Sequence, residues 1–159
     1  MTKEDKKLLI KDLSARLPYC VKVLNSTFAD TTIQTLLGRI SEDTFVMHET
    51  YKEVSGDDFR MVRDGVNYTG HIDYIKPYLR PMPSMTDEEK KEFIRNAGYE
   101  VEESINGRHY EYYLKDFCGT EDNPYVNVDA IDWLNERHFD YRCLIEKGLA
   151  LEAPEGMYA

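Results

Sequence analysis

Thr32-Ile33-Gln34-Thr35-Leu36-Leu37-Gly38-Arg39-Ile40, then Ser41-Glu42-Asp43, then Thr44-Phe45-Val46-Met47-His48 is the run that decides the fold. Two segments rich in β-branched and apolar residues flank three turn-forming polar ones, the pattern of two antiparallel strands joined by a short connection. Working back from it, Tyr19-Cys20-Val21-Lys22-Val23-Leu24 reads as a third strand of the same meander, with Cys20 as a core residue among apolar neighbours. Before that strand, Leu9, Ile10, Leu13 and Leu17 recur at helical spacing until Pro18, and Thr2 with Asp5 three residues on supplies an N-terminal cap. A helix is therefore predicted over residues 3–17. Working forward, Ser55-Gly56-Asp57-Asp58 and Asp64-Gly65 punctuate the chain as turns around Phe59-Arg60-Met61-Val62, and Gly70 precedes another strand-like run, His71 to Ile75. One helix followed by four or five short strands predicts an α+β fold that starts with a helix packed on a small antiparallel sheet or partial barrel.

Lys76-Pro77-Tyr78-Leu79-Arg80-Pro81-Met82-Pro83 follows, with Pro77, Pro81 and Pro83 close together. Proline lacks the amide donor that helices and inner strands require, so this stretch is expected to be an extended connector. It divides one domain of 159 residues into two lobes, a helix-plus-meander lobe over 1–76 and a second over 84–159. In the second, Thr86 and Glu89 form a capping-box pattern ahead of Phe93, Ile94 and Ala97, which predicts a helix over 87–97 closed by Gly98. Tyr99, Val101 and Ile105 alternate before Asn106-Gly107, and Tyr110, Tyr112 and Leu114 alternate after it, a β-hairpin around a type I′ turn. A C-terminal helix over 129–137, capped by Asn127 or Asp129, presents Ala130, Ile131 and Leu134, and Leu144 to Gly148 reads as one more helical turn.

The charge is unevenly spread. The chain carries 20 basic and 30 acidic residues, a net charge of −10, and residues 83–159 hold 18 of the acids against eight bases. Such a chain repels phosphate backbones, which argues against direct nucleic-acid binding. No apolar run has the length of a membrane helix, and the first 12 residues are charged where a signal peptide would be apolar; the expectation is a cytoplasmic protein with no membrane contact. Cys20, Cys118 and Cys143 are too scattered for a disulfide framework or a thiolate zinc site.

Candidate chemistry is sparse. His71-Ile72-Asp73 and His138-Phe139-Asp140 each place an imidazole and a carboxylate two residues apart, on one side of an extended segment, as an acid–base pair or part of a metal site would need. Nothing selects a third ligand from His48, His109 or the scattered acids, so neither a metal nor a cofactor is expected. Cys143 beside Arg142 is the one cysteine with a cationic neighbour, and glycine-rich phosphate loops and nucleophile elbows are missing from the sequence. Asp129, Asp132 and Glu136 share one side of the C-terminal helix as an acidic strip, and Tyr110 and Tyr112 belong to a group of tyrosines in a chain that has 12 of them. These five are the candidate partner-binding residues. Trp133, Phe139 and Tyr141 are too apolar for an exposed loop and are expected to anchor the second lobe on the first, with Asp140 and Arg142 facing the rim.

Leu13 to Val23 (LSARLPYCVKV), Ile75 to Glu89 (IKPYLRPMPSMTDEE) and Asp132 to Ala150 (DWLNERHFDYRCLIEKGLA) resemble a group of small uncharacterised proteins from anaerobic gut bacteria and their prophages. The resemblance implies glycine at the positions of Cys20 and Cys143, and it brings no activity. With it, the expected function is that of a non-catalytic accessory protein of mobile-element origin that contacts another protein through its acidic, tyrosine-rich lobe. Two alternatives are a small hydrolase using His138 and Asp140, and an acidic nucleic-acid mimic that fills a basic groove on a host protein.

Overall fold

The computed structural model describes residues 1–27, 32–49, 66–97 and 127–158 and divides the chain into two compact units, Met1–Pro77 and Tyr78–Ala159. The fold is α+β, and among the described residues the hydrogen-bonded strands lie in the spatial order 66–71, 44–49, 32–39, 22–25, 75–79 and 151–152. Helix α1 (Lys3–Ala15) opens the first unit. Thr2 and Asp5 form a reciprocal capping box there, the hydroxyl accepting from the Asp5 amide and the carboxylate accepting from the Thr2 amide. Pro18 turns the chain into a short 3-10 segment, Leu17–Tyr19. Four antiparallel strands follow: β1 (Lys22–Asn25), β2 (Thr32–Arg39), β3 (Thr44–Glu49) and β4 (Val66–His71). β1 also pairs with β5 (Ile75–Leu79), through Val23 opposite Pro77 and Leu24 opposite Lys76.

The inner face of this sheet is set by alternation, interrupted by one bulge in β2 between Leu36 and Gly38. Val21, Val23, Leu36, Phe45, Met47 and Ile75 are buried, together with Leu9 and Leu13 of α1. Gly70 permits a close approach on that face, since a side-chain carbon there would lie 2.8 Å from Met47 Cε and 3.2 Å from Ile75 Cδ1. Below the apolar layer, Asp12 and Arg16 are both fully buried, and the guanidinium donates to the two carboxylate oxygens at 2.8 and 3.1 Å.

The proline-rich connector is corrected by the structure, because its first residues form β5. Pro77 is tolerated there because β5 changes partner at that point: residues 75–77 pair with β1, and Tyr78 and Leu79 pair in parallel with β6 (Leu151–Glu152). Neither half-strand demands a donor from the proline nitrogen.

The second unit holds helices α2 (Asp87–Asn96) and α3 (Val128–Glu136), the latter capped by Asn127. Met82, Met85, Phe93, Ala130, Trp133, Leu134, Phe139 and Tyr141 form its core. Trp133, Phe139 and Tyr141, the residues expected as an anchor, are buried in this cluster with residues of α2, α3 and the Met82–Met85 turn of their own unit. Arg80 and Glu89 pair in a bidentate contact at 2.7 and 2.9 Å, while Glu89 also accepts from the Thr86 amide. Burial pushes the Glu89 carboxyl up, and the bonds from Arg80 and Thr86 more than offset it, so it sits below its ordinary value of 4.5. A folded value below the unfolded one means the contribution to stability is complete above pH 4.5 and is lost as pH falls through the folded value. Glu89→Gln should therefore flatten the acid limb of melting temperature against pH in that range, and an unchanged acid limb would show that the pair does not titrate with unfolding.

Cys20 is not a strand residue. It is exposed, with φ of 54°, and Cys143 adopts φ of 55°. Both occupy the left-handed region, which costs a side-chain-bearing residue roughly 1–2 kcal/mol and glycine almost nothing, so glycine is the residue the backbone favours at either place. Because glycine also gains freedom when unfolded, Cys20→Gly and Cys143→Gly should each stabilise the protein by up to about 1 kcal/mol. Thermal melts of the two variants check this; a lowered midpoint would mean that the thiol makes a contact worth more than the strain.

The predicted hairpin around Asn106-Gly107, with Tyr110, Tyr112, His109 and Cys118, lies outside the described residues, as does the run Phe59-Arg60-Met61-Val62.

Candidate functional site

His138 follows the C-cap of α3 and takes φ of 60°, the left-handed turn that ends many helices. Its amide donates to the Asn135 carbonyl at 3.1 Å and that of Phe139 to the Leu134 carbonyl at 2.9 Å, the paired bonds of a Schellman motif. The sequence reading of an extended His138-Phe139-Asp140 segment misses this reversal, because histidine stands where glycine usually announces it. The His138 ring is buried and stacks on Tyr158 with centroids 3.8 Å apart. Tyr158 in turn donates from its hydroxyl to the Tyr78 carbonyl at 2.8 Å.

Asp140 does not face the rim. It is buried, and its two oxygens accept from the amides of Leu144 and Ile145, both at 2.8 Å, so that the carboxylate pins the turn that runs to Gly148. Gly148 closes this turn at φ of 68°. Two backbone bonds, Arg80 amide to His138 carbonyl and Asp140 amide to Arg80 carbonyl, hold the segment against residue 80. Phe139 between them is fully buried, with the Arg80 guanidinium carbon 4.2 Å from its ring centroid and the Trp133 ring stacked at 5.8 Å. Phe139 and Asp140 are thus both engaged in holding the second unit together.

The other pair, His71 and Asp73, is joined by residues that the sequence reading did not connect with it. His71 Nε2 lies 2.9 Å from Asp43 and Nδ1 lies 3.2 Å from Asp73, while Lys6 Nζ is 3.4 Å from Asp73. The hydrogen bond from His71, with the charges of His71 and Lys6, holds the Asp43 carboxyl below its ordinary range. The imidazole thus lies between two carboxylates at the end of the first unit's sheet, and its Nδ1 also accepts from the Asp73 amide at 3.3 Å. Among the described residues no group of three His, Cys, Asp or Glu side chains is disposed to hold a metal.

Asp129, Asp132 and Glu136 are all exposed on α3, three and four residues apart, beside Val128, which is 69% exposed. The strip exists as a surface feature; Tyr110 and Tyr112, named with it from sequence, lie outside the described residues.

A further surface lies on the outward face of the first unit's sheet. Ile33 and Leu37 are each 49% exposed there, with Leu24 and Val46 half-buried beside them. Leu37 is the extra residue of a bulge, since Leu36 pairs with Met47 and Gly38 with Val46. Lys22, Lys76 and His48 supply the ionisable groups of β1, β5 and β3 on this side, and Lys22 Nζ donates to Thr35 at 2.7 Å. Among the described outward positions of β1 to β5 there is no Asp or Glu, in a chain with 30 of them. The sequence carried a sign of this face in Leu36-Leu37: two adjacent large apolar residues in one strand cannot both point inward.

Among the described residues no helix is long and apolar enough to cross a membrane. No family model matches the chain, and the searches of curated proteins and of solved structures found no match either.

Proposed function

We propose that the chain is a non-catalytic binding protein that contacts another protein through the outward face of its antiparallel sheet; the mobile-element setting implied by the resemblance belongs to the same proposal. The observation that carries the reading is the half-exposed pair Ile33 and Leu37 among described outward strand positions that carry no Asp or Glu. An apolar patch within a cationic and hydroxylic surround has the composition of a contact surface, whereas a solubilising surface of this chain would be expected to carry its abundant acids. The hydrolase alternative draws little support from His138 and Asp140, since an acid–base pair needs groups that can reach substrate and exchange protons. Asp140 spends both oxygens on backbone amides, and the buried His138 ring lies flat on Tyr158.

The test is a paired capture with wild type and Ile33→Asp/Leu37→Asp, read by quantitative mass spectrometry. The expected result is at least one protein retained by wild type and lost from the double variant, whose melting temperature should match wild type because both positions are half-exposed. Identical capture profiles would overturn the reading.

A further inference from the structure

We propose that the partner seated on this face is an acidic polypeptide segment studded with apolar side chains. The inference rests on the binding reading above and names its partner class. Strand register arranges the face in rows: Lys76, Leu24 and Ile33 lie across β5, β1 and β2, and Lys22, Thr35 and His48 lie across β1, β2 and β3. Neighbouring strands are about 4.8 Å apart and rows on one side repeat every ~6.7 Å. The two lysines therefore flank the apolar pair on the β5 side, within reach of one bound segment. Such a segment would lay apolar side chains on Ile33 and Leu37 and direct carboxylates at Lys22 and Lys76.

Charge selects the sign of the partner. With no carboxylate on the described outward positions of these strands, Lys22 and Lys76 would repel a basic segment, whereas an acidic one gains steering and register. The same sign would suit a nucleic acid, but the apolar pair favours polypeptide: Ile33 and Leu37, each 49% exposed, can bury against apolar side chains, which a phosphate backbone does not offer. The outward positions of β1, β2 and β3 hold no Phe, Tyr or Trp and β5 adds only the half-buried Tyr78 on the side of Lys76, whereas single-strand binding draws much of its affinity from several such rings.

The experiment selects a random-peptide display library on the immobilised full chain, with Ile33→Asp/Leu37→Asp as counter-selection and oligo-dT as competitor. The expected outcome is a set of peptides with net negative charge and several large apolar residues, which the counter-variant fails to hold. Lys22→Glu/Lys76→Glu should weaken a selected peptide by about tenfold or more and should leave the melting temperature near wild type. Selected peptides that are neutral or basic would overturn the partner class while leaving the binding face intact. Peptides held equally by the Ile33→Asp/Leu37→Asp variant would overturn the face itself. Displacement by oligo-dT at comparable concentration would make the occupant a nucleic acid, and a dimer that these substitutions dissolve would make it a second copy of this chain; either result overturns the proposal.

Discussion

Asp12→Ala should lower the unfolding free energy by about 3–5 kcal/mol, because it leaves the Arg16 guanidinium as an uncompensated charge in a site closed to water. Both side chains are fully buried, and the two bonds at 2.8 and 3.1 Å match the fork of the guanidinium to the carboxylate. Folded domains are stable by only about 5–15 kcal/mol, so a loss of this size removes a large share of the total. Replacing both partners, Asp12→Leu with Arg16→Met, should cost far less than the single change and is expected to be near neutral, since the burial cost of two charges disappears together with their attraction. Denaturant midpoints at unchanged slope give the comparison. A single variant within a few tenths of a kcal/mol of wild type would mean that water reaches the pair after all.

That ion pair also marks a limit of reading from sequence. Asp12 and Arg16 are four apart on a predicted helix, which is as common on a solvated face as in a core, and only the fold decides that this face is the buried one. Features written in local chemistry are legible: the N-cap at Thr2, the capping box at Thr86, the turn between β2 and β3, and the helix over 87–97 in its α2 form follow from residues within one turn of each other. Those that depend on distant partners are not. Pro77 sits in a strand because β1 and β6 divide the two halves of β5 between them, and no local rule announces that division. The apolar neighbours of Cys20 point to a strand, but Pro18 tightens the chain into a 3-10 turn that Cys20 leaves in the left-handed conformation. Asp43 joins His71 and Asp73 through strand pairing, with Thr44 opposite His71, so the cluster spans a separation that motif spacing cannot express.

Phe139→Ala should cost about 3–5 kcal/mol, the range for truncating a fully buried aromatic residue. The ring is held on two sides, by the Trp133 ring with an interplanar angle of 13° and by the Arg80 guanidinium, which is itself fixed by Glu89. Removing it leaves a cavity in the core of the second unit and deprives the Schellman turn of the apolar contact that accompanies its hydrogen bonds. The neighbouring position supplies the control. His138→Gly relieves a left-handed residue, worth roughly 1–2 kcal/mol, which offsets part of the loss of the buried ring and its stack on Tyr158, so its net cost should fall well below that of Phe139→Ala. The melting temperature of His138→Gly should then stay well above that of Phe139→Ala, which unfolds early or fails to accumulate. The reverse order, a tolerant Phe139 and a His138 whose loss abolishes a cellular activity in a well-folded protein, would take this segment out of the structural core and restore it as a site of chemistry.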